Sequence, residues 1–197
     1  MSDRINAQLA FLTEACKLKS VLRATSLCDG SRRENSGEHS WHIALYALVL
    51  GEQAGPDVNI DRVIRMLLIH DLVEIDAGDS PIHGNHDTAE MDAIEQAAAT
   101  RIFGLLPPDQ AVGFRALWDE FEAAETPDAV FAKSIDRVQP VIANLETGGG
   151  TWPEYNVTAA QLESRVGVKV TRGAPALWSA LKSRIDAWFT AHLPSSE

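Results

Sequence analysis

Apolar residues recur at intervals of three and four along almost the whole chain, the spacing that lets an α-helix present one face to a core. The first such segment places Ile5, Leu9, Leu12 and Cys16 on one side. A second runs from Ser36, a helix-capping residue type, through "EHSWHIALYALVLGEQAG". A third, "DVNIDRVIRMLLIHDLVEIDAG", ends near Gly78. "HDTAEMDAIEQAAATRIFGLLP" opens with a capping box, Asp87 to Glu90, and "PDQAVGFRALWDEFEAAE" follows it. "TPDAVFAKSIDRVQPVIANLE" has Thr126 to cap it and Pro127 at its first helical position, before the break at Gly148–Gly150. Thr158 and Gln161 cap a short helix, and "PALWSALKSRIDAWFTAHL" closes the pattern. Alternation of period two is confined to "VGVKVT" (166–171), a weak strand candidate. The expected fold is all-α, one domain over 1–197 without internal repeats.

Composition narrows the partners. The 197 residues carry a formal net charge of -11, which argues against a nucleic-acid polymer or an anionic membrane as the main partner. Hydrophobic residues at 45% and charged residues at 23% suit a globular chain. The N-terminus lacks the unbroken apolar run of a signal peptide, and no stretch approaches a membrane span. Cys16 and Cys28 are too few for a disulfide framework and are expected as buried thiols. The expected setting is the reducing cytoplasm.

The unusual chemistry sits behind the most apolar stretch. His70 and Asp71 continue the run Met66, Leu67, Leu68, and Glu74 lies on the same side of that helix. A buried carboxylate without a partner costs several kcal/mol, so Asp71 needs an arginine or a metal ion. Asp136 interrupts another apolar helix, and Pro140, four residues on, removes the hydrogen bond to its carbonyl, so a kink is expected there. His39 opens the second helix. His39, His70, Asp71 and Asp136 make a mixed nitrogen and oxygen set suited to a divalent ion such as Mn, Fe, Co, Ni, Zn or Mg, with coordination positions left over. Glu74 stands near enough to move a proton. His86–Asp87, in a polar loop, shows that the dipeptide alone carries little weight.

The segments "RRENSGEHSW", "LLIHDLVEIDAGD" and "AKSIDRVQP" together resemble the HD-domain metal-dependent phosphohydrolases, most of all the 5'-deoxynucleotidase branch. The resemblance covers about residues 15 to 145 and implies a helical bundle of roughly seven to nine helices, with a C-terminal extension over about 150–197. It implies His39, His70, Asp71 and Asp136 as metal ligands, Glu74 as catalytic assistant and Asp79 beside the substrate, the last two holding a second metal in some relatives. The implied substrate is a small phosphorylated molecule, a (deoxy)nucleoside 5'-monophosphate, and the implied assembly a homodimer. The alternatives are a phosphodiester or nucleoside-triphosphate substrate, or di-iron oxygen chemistry. The nucleotidases carry an Arg closely followed by Trp ahead of the first ligand; here Arg23 is present and no Trp follows. A firm two-metal centre uses further histidines from separate helices, whereas His83 and His86 share one loop.

Phosphate also asks for positive side chains. Lys133, three residues before Asp136, and Arg23, Arg32 and Arg33, ahead of His39, are the candidates. His42 is expected as a packed histidine and Asp76 as solvated. Trp118, Trp152, Trp178 and Trp188 are expected as packing residues.

Overall fold

The computed structural model describes residues 2–84 and 88–192; His86 and the Asp87 capping residue lie outside them. Among the described residues the chain is helical, with one two-stranded ribbon. In order it runs α1 (Ser2–Ala15), β1 (Leu22–Ser26), β2 (Arg33–Asn35), α2 (Ser36–Val49), α3 (Ile60–Ile69), α4 (Glu74–Ala77), α5 (Thr88–Phe103), α6 (Pro108–Ala123), α7 (Pro127–Glu146), α8 (Thr151–Glu154), α9 (Ala159–Leu162), α10 (Val168–Gly173) and α11 (Pro175–Ala191). The seven helices of ten residues or more fit the expected bundle.

The caps explain the boundaries. Asn35, one residue before the expected Ser36, caps α2 in a reciprocal box with Glu38. Thr126 accepts from the Ala129 amide and Pro127 starts α7, which then runs through Pro140 as one helix. Thr158 and Gln161 form the expected box. Asp128 Oδ1 accepts from the Asn59 amide at 2.7 Å, tying the start of α7 to the start of α3.

Three clusters build the interior. Ile43, Val63, Met66, Leu67, Phe131 and Ile135 join α2, α3 and α7. Phe11, Ile69, Leu72, Ile102, Phe103 and Trp118 form a second. Val138, Val141, Trp152, Val170, Trp178 and Ile185 form a third under the C-terminal helices. α7 therefore has one half in the first cluster and the other in the third, and Asp136 falls between them.

Four expectations need correction. The third segment is not one helix: α3 ends at Ile69, a 3-10 turn takes His70–Val73, and α4 begins at Glu74. The 166–171 segment is helical, because Val166 and Val170, four apart, share a buried face while Val168 is exposed. The Ile5–Leu9–Leu12–Cys16 face of α1 is exposed, and Phe11 is the residue that enters the core. Cys28 is exposed as well, and both thiols are free. None of the described helices is long and apolar enough to cross a membrane.

Candidate metal centre and active site

Three elements bring the ionisable residues together. The first turn of α2 supplies His39, the 3-10 turn supplies His70 and Asp71, and the middle of α7 supplies Asp136. One ligand atom from each of His39, His70 and Asp136 lies within 4.8 Å of the others. Asp71 Oδ1 is 2.8 Å from His70 Nε2. The 3-10 turn is fixed from behind by Trp118, whose indole N–H donates to the His70 carbonyl at 3.1 Å.

The hydrogen bonds set the tautomers. His70 Nδ1 lies 2.9 Å from the Leu67 carbonyl, which only accepts, so Nδ1 carries the proton and Nε2 a lone pair. Gln139 donates its amide N–H to Glu34 Oε1 at 3.1 Å, and its oxygen lies 3.1 Å from His39 Nδ1. His39 therefore also donates from Nδ1 and turns its Nε2 lone pair inward, 3.0 Å from Asp136 Oδ1. His70 Nε2 is buried without a hydrogen-bond partner, 3.6 Å from the same Asp136 oxygen. Two imidazole lone pairs and the Asp136 carboxylate thus converge, with Asp71 beside His70, and a cation would relieve their repulsion. This donor set fits a divalent metal, which His39, His70 and Asp136 would hold, with Asp71 beside His70 as a further oxygen.

The same crowding shifts protonation. Against the cost of burial, Asp71 and Asp136 raise His70 to about 10. Burial and Arg23 oppose a charge on His39, yet Asp136 and Glu34 raise it too. Although burial disfavours its charge, Asp71 is held down to about 2 by His70 and Arg23. Asp136 is likewise held well below the usual carboxylate range, against burial, by both histidines. Together these shifts favour a proton held by the cluster rather than by one ring.

Outside the ligand set lies a second ring of acids around Arg23, carried by β1. Its Nη1 is 2.8 Å from Asp71 Oδ2, 3.6 Å from Glu74 Oε1 and 3.6 Å from Asp79 Oδ1. Ser36 Oγ–H donates to Glu74 Oε2 at 2.5 Å. Gly78, with φ of 76°, turns the chain so that Asp79 Oδ2 accepts from the Ala24 amide at 3.1 Å. Burial first, and then Asp71, push Glu74 well above its usual value; burial raises Asp79.

These groups line a cavity of about 250 Å³. Its other side is built by Trp152, Tyr155, Leu162 and Val166 of the C-terminal segment. Lys133 lines it too, with Nζ 3.0 Å from both oxygens of Glu122 and over the Phe121 ring. Arg32 and Arg33 do not line it. They lie at the surface, bonded to Glu38 and to Glu154. His83 lines the cavity but stands outside the ligand group, and Asp76 pairs with Arg101 at the surface. His42 is half-buried, edge-on to Tyr46. Trp118 and Trp178 are buried, while Trp152 packs and also faces the cavity.

Three residues of the site escaped the sequence reading. Glu34 and Gln139 orient His39, and Arg137 lines the cavity. Gln139, a polar residue three after Asp136 on an apolar helix, carried a usable signal.

The chain as a whole has clear relatives. An HD-domain family model matches residues 15–178, and the chain belongs to that family. It is 30% identical over 139 residues to human 5'-deoxynucleotidase HDDC2, covering 70% of this chain and 67% of that protein. A 5'-deoxynucleotidase of Photorhabdus laumondii is 27% identical over 161 residues, covering 78% and 81%. A crystal structure of a predicted metal-dependent phosphohydrolase from Magnetospirillum magnetotacticum superposes with a TM-score of 0.89 at 49% identity, covering 94% of this chain and 95% of that one.

Proposed function

We propose that this protein is a metal-dependent phosphohydrolase that releases phosphate from a nucleoside 5'-monophosphate. The observation that carries this reading is the convergence of His39, His70 and Asp136, with Asp71 against His70, beside a further carboxyl group, Glu74. The names of the relatives support it. A divalent ion in that position supplies Lewis acidity toward a phosphoryl oxygen and acidifies water.

The chain's own residues do the rest. Glu74, raised above the usual carboxylate range by burial and by Asp71, is the group placed to exchange a proton with the reacting water or the leaving group. Ser36 fixes one of its oxygens and leaves the other toward Arg23 and the cavity. Asp79, held by the Ala24 amide, positions substrate or water at the rim. Trp152, Tyr155, Leu162 and Val166 give the nucleoside an apolar wall. A cavity of about 250 Å³ takes one small molecule rather than a polymer.

The test is phosphate release from a panel of ribo- and deoxyribonucleoside monophosphates by metal-stripped protein resupplied with Mn, Co, Mg, Zn or Fe, beside Glu74→Gln. Metal-dependent release that the variant loses, with its metal retained, is expected. Release from no monophosphate with any metal, by protein that binds one, overturns the reading.

A homodimer in the cytoplasm completes the proposal. Two free thiols suit a reducing compartment, and Trp41, Leu45 and Leu48 leave an exposed apolar stripe on α2 for a second copy.

A further inference from the structure

The cavity holds more acid than base. Asp71, Glu74, Asp79, Glu95, Glu122 and Asp136 line it, against Arg23, Lys133 and Arg137. Two of these three cations are already committed. Arg23 is shared by Asp71, Glu74 and Asp79, and Lys133 bridges both oxygens of Glu122. Arg137 forms no ion pair among the described residues, and its Nε is buried without a hydrogen-bond partner.

Position adds to this. The cavity face of α7 carries Asp136, Arg137, Pro140, Val141 and Asn144, the spacing of a single helical face. Arg137 therefore stands on the same wall as the metal-ligating Asp136. Two other basic groups feel its charge. Lys169 on α10 is pushed below the usual lysine value by Arg137 and by burial. His83, which also lines the cavity with a buried Nδ1 lacking a partner, is lowered to about 4 by burial, Arg165 and Arg137. Arg165 itself is tied to the Ile82 carbonyl at 3.2 Å. A guanidinium N–H buried without an acceptor is costly unless a ligand satisfies it, and a planar fork of donors suits phosphate oxygens.

We infer that Arg137 is the cation that binds the phosphoryl group in this cavity, taking the oxygens that the metal does not. This rests on the phosphohydrolase reading and goes beyond it, because Arg23 and Lys133 then serve to hold acids in place, while Arg32 and Arg33 stay outside the cavity.

The probe is inorganic phosphate, titrated calorimetrically into metal-loaded protein, for the wild type, Arg137→Ala, Arg137→Lys and Arg137→Gln. Metal content and melting temperature are recorded for each. The expected result is phosphate binding weakened about tenfold or more by alanine and by glutamine, partly restored by lysine, at unchanged metal content. Monophosphate turnover should show a matching loss in kcat/KM, partly restored by lysine. Arg137 forms no ion pair among the described residues, so its removal strands none of their acids; should the alanine chain fail to fold, the glutamine and lysine variants decide. Wild-type phosphate affinity in metal-loaded Arg137→Ala or Arg137→Gln overturns the inference. Failure of the wild type to release phosphate from any monophosphate overturns the hydrolase reading instead, and the phosphate titration still decides the role of Arg137.

Discussion

Metal binding to this protein should release protons, and its strength should climb steeply with pH. The inward lone pairs of His39 and His70 face the carboxylates of Asp71 and Asp136, and the metal-free cluster answers by holding a proton, with His70 raised to about 10. The protonated form is favoured, so a metal has to displace that proton. The apparent affinity then rises about tenfold per pH unit for each proton released, or about a hundredfold between about pH 6 and about pH 8, and flattens above about pH 10. The proton belongs to the cluster rather than to one ring, so the released number is the quantity to measure. The same shift fixes the sign for stability. A raised histidine contributes stability to the metal-free protein that is complete below its ordinary value of 6.5 and is lost as pH rises through about 10. Calorimetric titration of Mn²⁺ in buffers of different ionisation enthalpy counts the protons directly. An affinity independent of pH across this range, with no proton release, would refute the convergent-acceptor geometry.

Other consequences are local. Gln139→Ala removes the acceptor that orients His39 and should weaken metal binding about tenfold to a hundredfold in competition with a chelator, leaving the fold intact. Gly173→Ala would bring a Cβ to 2.4 Å from Ser134 Oγ and 2.6 Å from the Val130 carbonyl, so α10 must lift from α7; urea denaturation should show a loss of about 1–3 kcal/mol. Trp41→Glu places a charge on the exposed stripe of α2 and should convert a dimer to a monomer by light scattering without loss of melting temperature.

The helices and the clustering of His39, His70 and Asp136 were legible because both rest on local rules. Capping residues and three-to-four spacing located most boundaries, and a buried acid on an apolar helix announced Asp71 and Asp136. What failed was whatever a distant segment decides. Arg33 was a candidate for the substrate, and it is Glu154, 121 residues later, that pairs with it at the surface. The apolar stripe of α1 predicted burial, yet only Phe11 has a core cluster to enter. Val166 and Val170 fit either period, and the C-terminal cluster chose the helical one. Glu34 was hidden because it lies in a ribbon too short and polar to read as a strand, and its partner Gln139 is 105 residues away.

Arg23 explains how a buried acidic ring exists beside the metal-ligand set. Asp71, Glu74 and Asp79 all lie within 3.6 Å of its Nη1, the place where a second cation would balance them. With side-chain exposures of 10 to 12%, none of the four groups is well hydrated. Removing one partner of such a network costs about 3–5 kcal/mol, because the charges left behind have lost both water and their counterion. Arg23→Ala should therefore destabilise the metal-free protein by about that amount at neutral pH. The stranded carboxylates can recover by binding a second divalent ion, so the variant should regain stability in millimolar Mn²⁺ and take up a further equivalent of metal by equilibrium dialysis. Arg23→Lys, which keeps the charge, should do neither. A wild-type metal stoichiometry in stable Arg23→Ala would mean that Arg23 does not stand in for a second ion and that these acids are balanced some other way.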